Sequence, residues 1–319
     1  MRSRLTYGLG ACRTSPTRAW PVSPGLRYTD CGQPSGYRGL RATVWWEAGV
    51  QHIQLSAAKY KFRCQTVTNS TVHEVEESFR GPAQGRLCSS ICDSIRDLVR
   101  GAGVDGARVA VRPIHPYPPW LLERANVQVG IGNLKKEENS LVAQFLANEF
   151  LERNYKNFLE INTDGSVLDD GAAGAAFVVP EFNNMTHLFF LPAVSVYTAE
   201  LVAILMALQH MSAIHTLPSA IVVCSDSVAS VATPRLSSIG SDSANAREDL
   251  VSEIVTTTHQ LITRGTEVRF QWVPAHVSLS GNEKADRTAK KGAKGTVAVN
   301  LDLGLADIYS SLTVQVWRQ

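Results

Sequence analysis

Four carboxylates constrain what this chain can fold into more than any other feature. Between Phe158 and Asp286 they recur beside apolar elements in the order Asp, Glu, Asp, Asp. They are Asp164 in Ile161-Asn162-Thr163-Asp164-Gly165-Ser166, Glu200 in Tyr197-Thr198-Ala199-Glu200-Leu201, Asp226 in Val222-Val223-Cys224-Ser225-Asp226-Ser227, and Asp286 in Gly281-Asn282-Glu283-Lys284-Ala285-Asp286. Phe158 to Thr163 and Ala220 to Ser225 are rich in β-formers and bounded by turn residues. That predicts two short strands with Asp164 and Asp226 at or near their ends, where sites gather in α/β sheets. Leu201, Ile204, Leu205, Leu208 and Met211 recur at helical spacing. Glu200 is therefore expected in the first turn of a long helix, where the macrodipole favours negative charge. Asp286 is expected in the first turns of a last helix, behind a break at Gly281-Asn282.

Carboxylates that converge repel one another, which raises their pKa values and opposes folding unless cations neutralise them. Oxygen-only ligands suit Mg²⁺ or Mn²⁺, and no Cys or His pairing at zinc spacing accompanies the acids. Two such ions about 4 Å apart are the usual apparatus for in-line attack on a phosphodiester. The expected reaction class is metal-assisted phosphodiester hydrolysis. Taken singly, each acid has an ordinary explanation: an Asp-Gly turn, a helix-start charge, a strand-end cap, a solvated helix charge. Their ordered combination carries the argument.

The runs Thr163-Asp164-Gly165-Ser166, Thr198-Ala199-Glu200-Leu201 and Ser225-Asp226-Ser227 are followed by Trp272-Val273-Pro274-Ala275-His276, Gly281-Asn282-Glu283 and Ala285-Asp286. Together they resemble type 1 ribonuclease H, and more narrowly the ribonuclease H domain that follows the reverse transcriptase in non-LTR retrotransposons. The resemblance covers roughly Tyr155 to Lys294. It implies an α/β, ribonuclease H-like fold, a mixed five-stranded sheet flanked by helices, that cuts the RNA strand of an RNA–DNA hybrid to leave 5′-phosphate and 3′-hydroxyl ends. It further implies that Asp164, Glu200, Asp226 and Asp286 hold two Mg²⁺ ions, with Mn²⁺ as a substitute. His276, in the loop after the fifth strand, would shuttle protons or aid product release. Gly165, Ser166, Ser227 and Asn282 are the short polar neighbours placed for contacts to the 2′-hydroxyl, the group that distinguishes RNA from DNA. The implied partners are the hybrid and the reverse transcriptase portion of a parent element, with no small-molecule cofactor. The alternative is a remnant that binds hybrid without cutting it; the presence of all four acids and the histidine favours cutting. Transposases and integrases share the fold but usually close their set with glutamate, and exonucleases with four acids pair Asp and Glu two apart on the first strand. Neither pattern is found here.

Composition adds bounds. A chain of 319 residues with 44% hydrophobic content can hold two domains of ordinary size. A net charge of +2 is too small to mark a nucleic-acid binder, so any basic footprint must be local. Lys284, Arg287, Lys291 and Lys294 share one helical stripe and are the candidate. Cys12, Cys31, Cys64, Cys88, Cys92 and Cys224 show no disulfide framework, which points to a reducing compartment. With no signal peptide and no apolar run near the about 20 residues of a membrane helix, no membrane is expected; the location is not fixed by the sequence, and an intracellular one, cytoplasm or nucleus, is the expectation.

In chain order, residues 1–41 are rich in Arg, Pro, Gly and Ser and are expected to be poorly ordered. Residues 42–125 are read as a helical connector resembling the region after the reverse transcriptase, with helices around Val50 to Gln65 and Cys88 to Arg100. Cys88 and Cys92, four apart on one helix face, could pair on a metal, but with no further ligands nearby they are expected to be packed thiols. Pro113, Pro116, Pro118 and Pro119 mark a boundary. Residues 126–155 are a linker and a helix, Glu137 to Tyr155, expected to pack through Leu141, Val142, Phe145, Leu146 and Phe150. Residues 156–294 are the main domain, in which Gly165 to Gly174 is expected as a loop, and 295–319 are a C-terminal tail. Leu168-Asp169-Asp170 has no polymerase framework around it. His210 and His215 are expected to be solvated or half-buried.

Overall fold

The computed structural model describes residues 36–65, 86–111, 117–118, 121–131, 139–182, 185–232 and 247–318. Two compact units are present, Met1–Glu47 and Ala48–Gln319; of the first, only the beginning of one helix is described. The leader to residue 35, the cysteines at 12 and 31, the side chains of Cys64, Cys88 and Cys92, and most of the proline run lie outside the described residues.

Helices α1 (Gly36–Gln65) and α2 (Arg86–Gly101) come first, followed by β1 (Asn126–Gln128) and α3 (Ser140–Tyr155). The sheet-forming region then runs β2 (Leu159–Val167), β3 (Ala173–Val179), β4 (Met185–Leu191), α4 (Val196–Ala213), β5 (Ala220–Ser225), α5 (Val228–Ala232), α6 (Glu248–Thr263), β6 (Glu267–Trp272) and α7 (Ser280–Gly292). Helix α8 (Leu305–Arg318) closes the described chain.

The sheet is mixed and has six strands, in the order β1-β6-β5-β2-β3-β4. This corrects the expected five. Strand β1 pairs parallel to β6, with Val127 opposite Phe270. An exposed-buried-exposed run of three residues is too short for its alternation to be read in advance. Strands β2, β3 and β4 form an antiparallel meander, whereas β2, β5 and β6 run parallel.

A second correction concerns the segment after Asp164. Strand β2 continues through Gly165 and Ser166 to Val167, paired with Ala175, Gly174 and Ala173 of β3. The hairpin loop is only Leu168 to Ala172, closed by Leu168 N–H donating to the Ala172 carbonyl, with the Asp170 carboxylate accepting the Ala172 N–H at 2.9 Å. Asp170 thus serves to form the turn.

Helix α4 is buried nearly all round because it lies against β2 and β3 on one side and α6 on the other. By length and composition alone it could cross a membrane. Its burial and the carboxylate of Glu200 within it make it the core helix of this sheet. Helix α7 covers the opposite face of β2, β3 and β4. On α3 the packing face is Ala143, Ala147 and Tyr155, while Leu141, Val142 and Phe145 are exposed. Of the large apolar residues expected to pack, Phe150 lies half-buried against the cluster of Ala147 and Tyr155 and Leu146 is half-buried, while small residues take the positions of closest approach.

The core extends beyond the sheet. Leu55, Ala58, Phe62, Leu98 and Val99 from the two leading helices, and Ile308, Leu312 and Val316 from α8, belong to the same apolar cluster as Ile161, Ile204 and Phe270. Residues 295–319, expected as a tail, therefore end in a helix packed into that cluster. The segment at 108–110 pairs with Leu303 through backbone hydrogen bonds at 2.8 Å, and Arg108 pairs with Asp302 at 2.8 Å.

Gly174 marks the closest sheet-to-helix approach, since a Cβ there would run into the backbone of Ala289, Gly292 and Ala293 in and just after α7. Backbone cannot turn aside as a side chain can. Gly174→Ala is expected to destabilise the protein by about 1–3 kcal/mol, as overpacking does, measured by urea unfolding at unchanged m-value.

Candidate functional site

Parallel pairing of β2 with β5 brings the first and third acids together. Asn162 is opposite Cys224, so Asp164 lies just beyond the paired stretch and Asp226 follows the last residue of β5. Asp164 is not at a strand end but inside β2, opposite Ala176 of β3.

Glu200 arrives from the helix on the sheet face. Ser195 caps α4 by accepting the Thr198 N–H at 3.2 Å, so Glu200 falls in the second turn and no acid occupies the first. The helix dipole therefore does not account for it, contrary to expectation. Contact with the strand does. Gly165 has no Cβ, which lets β2 lie directly against the backbone of Ala199 and Glu200. The Glu200 carboxylate accepts the Gly165 backbone N–H and the Ser225 hydroxyl, the latter at 3.2 Å.

Asp164, Glu200 and Asp226 each offer an oxygen lying within 4.8 Å of the other two. Asp164 and Glu200 are 5% and 4% exposed, so water screens them little. Burial, then the charges of Asp226 and Asp286, push the Asp164 carboxyl from 3.8 up to about 8, against the pull of Lys290. Burial, then Asp164 and Asp226, hold Glu200 well above the usual carboxylate range, against its two hydrogen bonds. Asp226 Oδ2 accepts the Asn282 amide at 3.2 Å, and its backbone carbonyl accepts the Trp272 indole N–H at 2.9 Å.

Asp286 stands apart from the tight group. It is on α7, one turn before Lys290, whose Nζ lies 2.8 Å from its Oδ2. The structure thus gathers three of the four expected acids and sets the fourth at the rim, within electrostatic reach of Asp164. The expected helix break at Gly281-Asn282 is absent; α7 already begins at Ser280.

His276 is exposed in the loop after β6, the sixth strand, with a left-handed backbone at φ 57. No hydrogen bond of the acidic cluster among the described residues involves it. The other expected contact residues are largely enclosed. Gly165 is buried under α4, Ser166 is 8% exposed in β2, and Ser227 caps α5 through the Ser230 N–H. Asn282 is 4% exposed, with its Oδ1 lacking a partner among the described residues. Sequence reasoning missed Ser225, Trp272 and Lys290. Lys290 was open to detection, because i,i+4 spacing from Asp286 places the pair side by side. Among the basic stripe, Arg287, Lys291 and Lys294 are exposed and Lys284 is half-buried. His210 is half-buried against His187 and Phe177, and His215 is exposed.

The triad can hold a metal ion. Its donors are carboxylate oxygens only, which fit hard cations, and its charge is undercompensated by the protein. A carboxyl raised on folding contributes stability that is full below its unfolded value and is lost as pH rises through its folded value. For Asp164 that window runs from 3.8 to about 8. Without divalent ions, Asp164→Asn is therefore expected to stabilise the protein at pH 8 by at least about 1 kcal/mol, the worth of one pKa unit. It should do nothing at pH 4, and Mg²⁺ should raise the melting temperature of the wild type more than that of the variant. Thermal melts at the two pH values, with and without EDTA, check this.

No curated protein matches the chain. Its residues 156–294 match the RNase H family model. That stretch contains β2 to β6, α4 to α7 and all four acids, and leaves out β1, the helices before it, α3 and α8. Residues 156–294 of this chain form an RNase H domain.

Proposed function

We propose that the protein is an RNA–DNA hybrid endoribonuclease derived from a retroelement, hydrolysing the RNA strand to 5′-phosphate and 3′-hydroxyl ends with two Mg²⁺ ions, or Mn²⁺ in their place. The observation that carries the reading is the convergence of Asp164, Glu200 and Asp226, from a strand, a helix and a strand end, on one buried and electrostatically frustrated cluster.

In this reading Asp164, Glu200 and Asp226 hold divalent ions, and Asp286 joins them when its oxygen is released by Lys290. The bound ions would supply an activated water and stabilisation of the departing 3′ oxygen. The protein's part is orientation. Ser225 and the Gly165 N–H aim the Glu200 carboxylate, and Asn282 holds one oxygen of Asp226, leaving the other free. His276, exposed on its loop, exchanges protons with the leaving group or product at the rim. Ser227, half-buried, contributes a minor-groove contact to the 2′-hydroxyl, while the enclosed Gly165, Ser166 and Asn282 support the site beneath it. Arg287 and Lys291 on α7, with Lys294 just beyond its end, contact backbone phosphates. Residues 42–125 serve as the connector to a reverse transcriptase portion, which would add grip on the hybrid.

Asp226→Asn is expected to reduce cleavage of an end-labelled hybrid by more than the about 10- to 100-fold that follows loss of a group merely hydrogen-bonded to a metal ligand, while retaining hybrid binding. EDTA should abolish cleavage, and an all-DNA duplex of the same sequence should remain intact. Binding of hybrid by the wild type without metal-dependent cutting would overturn the enzymatic reading. His276→Ala should lower kcat by about 10²-fold and leave the melting temperature unchanged, because the side chain is exposed.

A further inference from the structure

One buried ion pair lies outside the acidic cluster, and one of its members lies beyond the stretch that matches RNase H. Asp307, in the first turn of α8, has a fully enclosed side chain, and that of Arg247, just before α6, is 2% exposed. The guanidinium donates from Nη1 to Asp307 Oδ2 at 3.2 Å. Its Nε and Nη2 grip both oxygens of Asp249, at 3.0 and 2.7 Å, and Nη2 also donates to the Asp302 carbonyl at 3.1 Å. Arg247 adopts φ 39, a left-handed backbone that a long side chain avoids unless its surroundings enforce it.

The other side of Asp307 faces the start of α4. Its Oδ1 accepts the Ser195 backbone N–H at 2.7 Å, and the Thr198 hydroxyl donates to both of its oxygens at 3.1 and 3.2 Å. Ser195 is the cap of α4 and Thr198 lies in its first turn; Glu200 is two residues further on. One carboxylate from α8 therefore holds the first turn of the helix that presents Glu200. Packing of α8 does not require this charge, because Ile308, Leu312 and Val316 already bury its apolar face. A buried pair is a poor source of stability compared with apolar contacts but a demanding source of geometry, since every lone pair must meet its donor.

We propose that Asp307 is a positioning residue for Glu200. Through the Ser195 N–H and the Thr198 hydroxyl it sets the height of the first turn of α4 along its axis. That height decides where the Glu200 carboxylate meets Gly165, Ser225 and the divalent ion. The functional unit accordingly extends through α8 and does not end with α7. This rests on the reading of the acidic cluster as a metal site.

The test uses the full chain, with Mn²⁺ alone as probe, read by electron paramagnetic resonance. Asp307→Asn and Thr198→Val are expected to melt cooperatively. Well below their melting temperatures they should bind Mn²⁺ about tenfold more weakly than wild type, with faster amide exchange at Tyr197 to Leu201. On hybrid, kcat should fall while KM holds. A lowered melting temperature with unchanged Mn²⁺ affinity, exchange and kcat would show a merely structural role and overturn the proposal. Should Asp307→Asn fail to fold, Thr198→Val decides alone, since it leaves the ion pair in place. If the wild type itself binds no Mn²⁺, the metal-site reading fails and this proposal with it. If wild type binds and the variants bind equally, only this proposal fails.

Discussion

Repulsion among Asp164, Glu200 and Asp226 is the constraint around which the rest of the structure is arranged. Each acid is delivered by an element that apolar packing holds in place: β2 and β5 by their parallel pairing, α4 by its burial between the sheet and α6. The packing supplies the free energy that keeps the charges together, and a few donors, Ser225, Gly165 N–H and Asn282, offset part of the cost. What remains uncompensated is the drive to take up cations. A site of this type opposes the stability of the metal-free fold in order to be ready for its ligand, the general trade between stability and function.

Close approach of backbones makes the arrangement possible. Gly165 lets β2 lie directly on α4, and Gly174, one register step away on β3, does the same for α7 on the other face. The two helices carry Glu200 and Asp286. Sheet and helices thus converge on the cluster from both sides, while Lys290 compensates Asp286 at the edge that solvent reaches.

The chain outside the RNase H match is tied to the same core. Tyr309 of α8 donates to the Lys59 carbonyl at 3.2 Å, and the Lys59 ammonium sits 5.5 Å from the centre of the Tyr309 ring. Helix α2 packs against α8. The leading helices, α8 and the first turn of α4 form a continuous path of contacts, with Arg247 and Asp307 at the end nearest Glu200.

Much of the fold was legible in the sequence because strands and helices here keep their native periods. Val222, Val223 and Cys224 read as a buried strand, and Leu201 to Met211 as a helix, because their neighbours in the sheet demand those residues. The failures have physical causes. Gly165 and Ser166 resemble a turn to local propensity, yet pairing with β3 makes them strand. Leu141, Val142 and Phe145 outrank Ala143 and Ala147 in hydrophobicity, yet close helix packing selects the small residues. Local sequence therefore determined where most of the helices and strands lie and the order in which the four acids occur. Only tertiary structure decided that three of them form a tight group while Asp286 is left at the rim, and that α8 reaches back to the start of α4. Distances between residues remote in sequence depend on packing that no local pattern encodes.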